Sequence, residues 1–97
     1  MRITLSEEAQ ADGQDAVDWY IDEGAFSATH GFADELEHCL HLLRQFPELG
    51  APSPYNTRTL PFHTFPYPLI YRIQPESICV IAIAHHNRRP AYWVGRR

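Results

Sequence analysis

Lysine is absent from this 97-residue chain, so all eight of its basic residues are arginines. Each basic contact must therefore be made by a planar guanidinium fork, which suits bidentate recognition of carboxylate or phosphate; a codon bias toward arginine accounts for the absence equally well. Cysteine is scarce. Cys39 and Cys79 lie forty residues apart, with no Cys-x-x-Cys step and no secretory leader ahead of them. That pattern excludes a disulfide framework or zinc knuckle and predicts a reduced, cytosolic protein. No uninterrupted apolar run approaches about 18 residues, the length a membrane-spanning helix requires. Positive charge is missing from the first half: residues 1–48 hold eleven acids against Arg2 and Arg44, whereas residues 49–97 hold six arginines against Glu76. The halves carry −9 and +5 within a formal total of −4. A general nucleic-acid coat is excluded, and only a local basic surface remains open.

Hydrophobic residues make up 44% of the chain, which at this length predicts one domain over residues 1–97 with a single core and little stability in reserve. A lasting partner or a homodimer would cover leftover apolar surface. Arg2 to Leu5 alternates as a short strand does. Ser6 is a helix N-cap, followed by Glu7 and Glu8 at the positive end of the dipole. The first helix is expected over Ser6–Asp22, with Ala9, Ala16, Val17, Tyr20 and Ile21 inward and Glu7, Asp12, Asp15, Asp18 and Asp22 on a solvated side. Ser27 is the expected cap of a second helix over about Ala28–Gln45, whose Phe32, Leu36, Cys39, Leu40 and Leu43, with Phe46 as a candidate continuation, form the clearest helical stripe in the chain. Pro47 and Gly50 end it, and Pro52-Ser53-Pro54 reads as a stiff connector.

The apolar period then changes to two. Thr57–Leu60 and Pro68–Ile73 are expected strands, the latter with Leu69, Tyr71 and Ile73 on one face and Ile70 and Arg72 on the other. Gln74–Ser77 is the turn into Ile78–Ala84, a run with no polar side chain except a thiol, as expected of a central strand covered on both faces. The order is βααβββ: an α+β domain with a helical hairpin against a three-stranded, mostly antiparallel sheet. Both cysteines are expected in the core.

Arg58 and Arg72 fall on neighbouring strands, where they could form an anion-binding pair or pair separately with helix carboxylates. His38 and His41 are three apart, with His30 further back, but no third ligand is in view and no metal is expected. Among the aromatics, only Tyr92-Trp93 adjoins basic residues, Arg88 and Arg89, as a base-stacking platform requires; the rest read as core or partner-covered surface. Arg96 and Arg97 read as a free end.

Leu42-Leu43-Arg44-Gln45-Phe46-Pro47-Glu48-Leu49-Gly50, Arg58-Thr59-Leu60, Tyr67-Pro68-Leu69-Ile70-Tyr71-Arg72 and His85-His86-Asn87-Arg88-Arg89-Pro90-Ala91-Tyr92-Trp93, in this order and spacing, resemble the RelE/ParE superfamily of bacterial toxins, specifically its ParE-like plasmid stabilization branch. The resemblance covers nearly the whole chain. It implies the toxin of a type II toxin–antitoxin pair, held inactive by an antitoxin whose C-terminal segment folds along the toxin in a hetero-oligomer, and it implies no cofactor. ParE-like members inhibit DNA gyrase by binding it, while RelE-like members are ribosome-dependent mRNA endonucleases. For the ParE-like case the expected contacts to target or antitoxin are Arg58, Arg72, Arg88, Arg89, Tyr92 and Trp93. For the nuclease case, Arg72 stands where that branch has a phosphate-binding arginine, His86 where it has a catalytic arginine, and Tyr92 where it has a catalytic tyrosine. Cleavage through the RNA 2′-hydroxyl would need such a base, cation and acid. The lysines that flank the RelE-like site are missing, and the net negative charge opposes entry into an RNA-walled site. A member that only binds antitoxin and helps repress the shared promoter is the remaining alternative.

Overall fold

A computed structural model describes residues 2–85 and 92–96. The elements run β1 (Arg2–Leu5), α1 (Glu7–Asp22), α2 (Phe26–Gln45), β2 (Ala51–Ser53), β3 (Thr57–Pro61), β4 (Pro68–Ile73) and β5 (Ser77–Ile83). They form the expected α+β arrangement with one strand more. The sheet order is β1-β5-β4-β3-β2; β1 pairs parallel with β5 from Arg2↔Ser77 to Leu5↔Val80, and the remaining pairs are antiparallel.

Ser6 caps α1 as its sequence position predicts, its Oγ accepting from the Ala9 N–H at 3.1 Å. At the far end Gly24 takes φ +73°, a left-handed turn that glycine enters at little steric cost. This turn sets the start of α2. The Ala25 N–H donates to the Tyr20 carbonyl at 2.8 Å and the Ala25 carbonyl accepts from Thr29 at 3.1 Å. Helix α2 therefore begins at Phe26, with Ala25 as its uncapped N-terminus and Ser27 inside the first turn. The expected cap at Ser27 is thus displaced by tertiary geometry at the preceding turn.

The helices cover one sheet face. Ala9 and Ala16 from α1, Phe32, Cys39 and Leu43 from α2, Leu69 and Tyr71 from β4, and Ile78, Val80 and Ile83 from β5 make the main core. Phe32 meets Phe62, Phe65 and Tyr67 with ring centroids 5.2 to 5.8 Å apart, and its stripe on α2 holds the hairpin on the sheet. Burial, with Glu35 nearby, pushes the Cys39 thiol up to about 11. The Tyr71 hydroxyl donates to the Pro47 carbonyl at 2.7 Å and accepts from the Gly50 N–H at 2.9 Å. A Cβ on Gly50 would come within 2.8 Å of that ring, so only glycine lets the loop after α2 close on β4.

Two features depart from the period-two reading. Ala51–Ser53 is an edge strand paired with Thr57–Thr59, not a bare connector; proline is tolerated there because an edge strand has one side without ladder bonds. The strands are joined through Pro54, Tyr55 and Asn56, the last two in the left-handed region at φ +64° and +58°. In β5 the pairing steps from Tyr71↔Val80 to Ile70↔Ala82, so Ile81 is an extra residue and the strand changes phase. Ile78 and Val80 face the helices, as does Ile83, while Ile81, Ala82 and Ala84 join Ile70 and Trp93 in a second apolar cluster. The central strand is covered on both faces, as its composition predicts.

Candidate functional site

The chemistry-bearing side chains gather where β5 outruns β1. Strand β1 ends at Leu5 opposite Val80, so the edge of β5 beyond that point meets side chains in place of a strand. Asp12 is on the α1 stripe between buried Ala9 and Ala16 and is only 8% exposed. Its Oδ2 accepts from the Ile83 N–H at 3.0 Å, the Tyr92 hydroxyl at 3.1 Å and Arg96 Nη1 at 2.6 Å, and its Oδ1 accepts from Arg96 Nη2 at 3.3 Å. Arg96 Nη1 also donates to the Ile81 carbonyl at 3.0 Å, and its guanidinium lies 5.0 Å from the centre of the Tyr92 ring. Burial alone would lower the Arg96 pKa, but the hydrogen bond and charge of Asp12, with Tyr92 and Glu8, outweigh it and raise the value. The pair of fork and carboxylate thus replaces a strand with charge-assisted bonds.

Arg72 closes the same segment from the other side. Its Nη1 donates to the Arg96 carbonyl at 3.0 Å, while Nε and Nη2 donate to the Tyr55 carbonyl at 3.4 and 3.3 Å. Trp93 is buried against Ile70, Ile81, Ala82 and Ala84, with the exposed Tyr55 ring edge-on to it at 6.3 Å. Three expectations are corrected here. Asp12 is not on the solvated side of α1, Arg96 is not a free end, and Trp93 is a core residue, not an open stacking platform.

Arg58 is elsewhere. It stands directly across from Tyr71, hence on the helix side of the sheet, whereas Arg72, the next residue along β4, faces away. The two do not form an anion-binding pair, and neither meets a helix carboxylate. Arg58 Nη1 instead donates to the carbonyls of Gly50 at 2.8 Å and Glu48 at 3.2 Å. Among the described residues the one ion pair is Arg96–Asp12. His30, His38 and His41 are exposed on α2, and no group of three His, Cys, Asp or Glu side chains among the described residues is placed to hold a metal. His86, Arg88 and Arg89 lie outside the described residues.

Two concave surfaces flank this framework. A cleft of about 380 Å³ opens between α1 and the end of β5, walled by Asp15, Trp19, Tyr67, His85 and Tyr92, with the His85 and Tyr67 ring centroids 4.9 Å apart. A shallower apolar hollow of about 620 Å³ lies past the end of α2, where Phe46, Pro47 and Leu49 meet Ile73. Phe46 is 58% exposed.

The family model described as the ParE toxin of the type II toxin–antitoxin system parDE matches residues 3–90. The chain belongs to the ParE toxin family. No curated protein matches it. A solved structure titled as the chromosomal ParDE TA system from P. aeruginosa superposes on this ParE chain with a TM-score of 0.77 at 22% identity, covering 88% of this chain and 95% of that one. That likeness carries the fold. No helix among the described residues is long and apolar enough to cross a membrane.

The ParE framework contains two residues that sequence reasoning misplaced, Asp12 and Arg96. One signal was present: Asp12 is three residues after Ala9 and four before Ala16, a spacing that puts it on the inward stripe.

Proposed function

We propose that this ParE family member is the toxin of a type II pair, that it acts in the cytoplasm by binding DNA gyrase without covalent chemistry of its own, and that a cognate antitoxin neutralises it in a hetero-oligomer. One observation carries the choice of binding over RNA cleavage. The hydroxyl of Tyr92 and the guanidinium of Arg72, two of the three groups a nuclease would need, are engaged in ties within the fold, to Asp12 and to the carbonyls of Tyr55 and Arg96. A general acid and a phosphate-holding cation must instead face the substrate. The acidic α1 also suits a protein target better than an RNA one.

In this reading Arg88 and Arg89 supply positive charge to the target or to acidic parts of the antitoxin, Arg58 and Arg72 act by shaping the surface, and the exposed Phe46 and Leu49 give the antitoxin apolar anchors. Supercoiling by purified gyrase, titrated with antitoxin-free protein, is the test. Loss of supercoiling, with intact mRNA in a parallel translation reaction, is the expected result, and replacing Arg88 and Arg89 by alanine should weaken it without unfolding the chain. Cut mRNA with unchanged supercoiling, abolished by His86→Gln, would replace this reading with a nuclease using Arg72, His86 and Tyr92. No toxicity on induction without antitoxin would leave a protein that only binds antitoxin.

A further inference from the structure

We propose that the cleft between α1 and the end of β5 is a binding site for an arginine side chain of a protein partner. The proposal does not depend on gyrase being the target.

The α1 wall of the cleft is built in two steps. Asp12 and Asp15, then Ala16 and Trp19, follow at helical spacing along one side of the helix and all line the cleft. The inner step is filled by the chain itself: the Arg96 guanidinium sits against the Asp12 carboxylate and 5.0 Å from the centre of the Tyr92 ring. A carboxylate and an aromatic ring together are what a guanidinium requires, the first for its fork and the second for its flat face. The outer step repeats those components one turn further along. Asp15 is exposed and takes part in no ion pair or hydrogen bond among the described residues, and Trp19, four residues on, is 56% exposed at the same rim.

The electrostatics select a cation. Asp12 is neutralised by Arg96, so of the two carboxylates that line the cleft, Asp12 and Asp15, it is Asp15 that keeps its charge uncompensated by an ion pair among the described residues. Asp18 and Asp22 extend the negative surface along α1. The shape selects arginine over lysine, since a planar guanidinium can stack on the indole while bonding a carboxylate edge-on. An exposed tryptophan beside a carboxylate is also the composition of a protein-interface anchor, where tryptophan and arginine dominate.

The test follows the indole N–H signal of Trp19 in the 15N-labelled full chain, identified by its loss in Trp19→Phe, during titration with capped arginine and with capped citrulline, its neutral isostere. Arginine is expected to shift the Trp19 signal saturably while leaving Trp93 in place, and citrulline to bind about fivefold more weakly or worse. Asp15→Asn, an exposed substitution, should bring arginine down to the citrulline level with an unchanged thermal midpoint. Equal responses to the two ligands, or no saturable shift, would overturn the site. A shift seen only after Arg88, Arg89 and Arg97 are replaced by alanine would mean that the chain fills its own cleft. A free polyamine such as spermidine binding more than about tenfold tighter than capped arginine would make the ligand a small amine. Either result would overturn the partner assignment.

Discussion

The sheet has two faces closed by different means. On the helix side, α1 and α2 lay Phe32, Leu43 and two alanines onto Leu69, Tyr71, Ile78 and Val80, so the cover is broad, apolar and redundant. On the other side, Ile70, Ile81, Ala82 and Ala84 are covered by Trp93 and Tyr92, in a segment tied by Arg96 to Asp12 and by Arg72 to the Arg96 carbonyl. The first face rests on many small dispersion and desolvation terms. The second rests on a few directional bonds between residues as far apart in sequence as Asp12 and Arg96. A redundant cover loses stability by degrees of volume, whereas a tied cover fails when one tie is cut.

Substitutions should separate the two regimes. Phe32→Ala, at the centre of the helix-side aromatic cluster, should cost about 3–5 kcal/mol, read as a fall in the urea midpoint that all spectroscopic probes report together. Asp12→Ala should cost about 3 kcal/mol, because it strands the Arg96 guanidinium and the Ile83 N–H at a half-buried site. Its signature is local: Trp93 should become open to acrylamide quenching below the global transition. Adding Arg96→Met to Asp12→Ala should restore part of the loss, and strict additivity of the two would show that no tie exists. Tyr71→Phe should cost about 1–2 kcal/mol by leaving the Gly50 N–H without its acceptor. Gly24→Ala, where open space surrounds the new methyl group but φ is positive, should cost about 1 kcal/mol from the backbone alone.

One pH dependence belongs to the helix-side face. Cys39 has a folded-state value of about 11, above its ordinary value of 9.0, so the folded chain holds this proton more tightly than the unfolded one. The associated stability is intact below pH 9 and is lost as pH rises through 11. Cys39→Ala should flatten that decline in a series of thermal midpoints, and an equal slope in both proteins would remove Cys39 as its source.

The redundant face was also the legible one. The Phe32–Leu43 stripe, the cap at Ser6 and the apolar run of β5 each announce themselves within one element, and all six expected elements formed. What stayed hidden was relational. Asp12 resembles its solvated neighbours until Arg96 reaches it. Ile81 resembles any strand residue until its partner strand skips it. Ser27 carries a capping side chain, yet the turn at Gly24 decides where α2 begins. Pro52 masks an edge strand, because prolines signal connectors wherever their pairing is unknown. At the site, Arg58 and Arg72 were read from their spacing, but the pleat sends them to opposite faces. Trp93 was found as an aromatic beside arginines, while its burial depends on the open apolar face it covers.

The parallel pairing of β1 with β5 has a consequence for how the chain comes to be folded. The hairpins β2–β3, β3–β4 and β4–β5 join neighbours in sequence and can form early, but Arg2 meets only Ser77, across most of the chain. Closing that loop is the entropically demanding step, so β1 and the helix that follows it should dock late. During synthesis β1 must wait for a partner made long after it, and the apolar stripe of α2 is made before the strands it lies on.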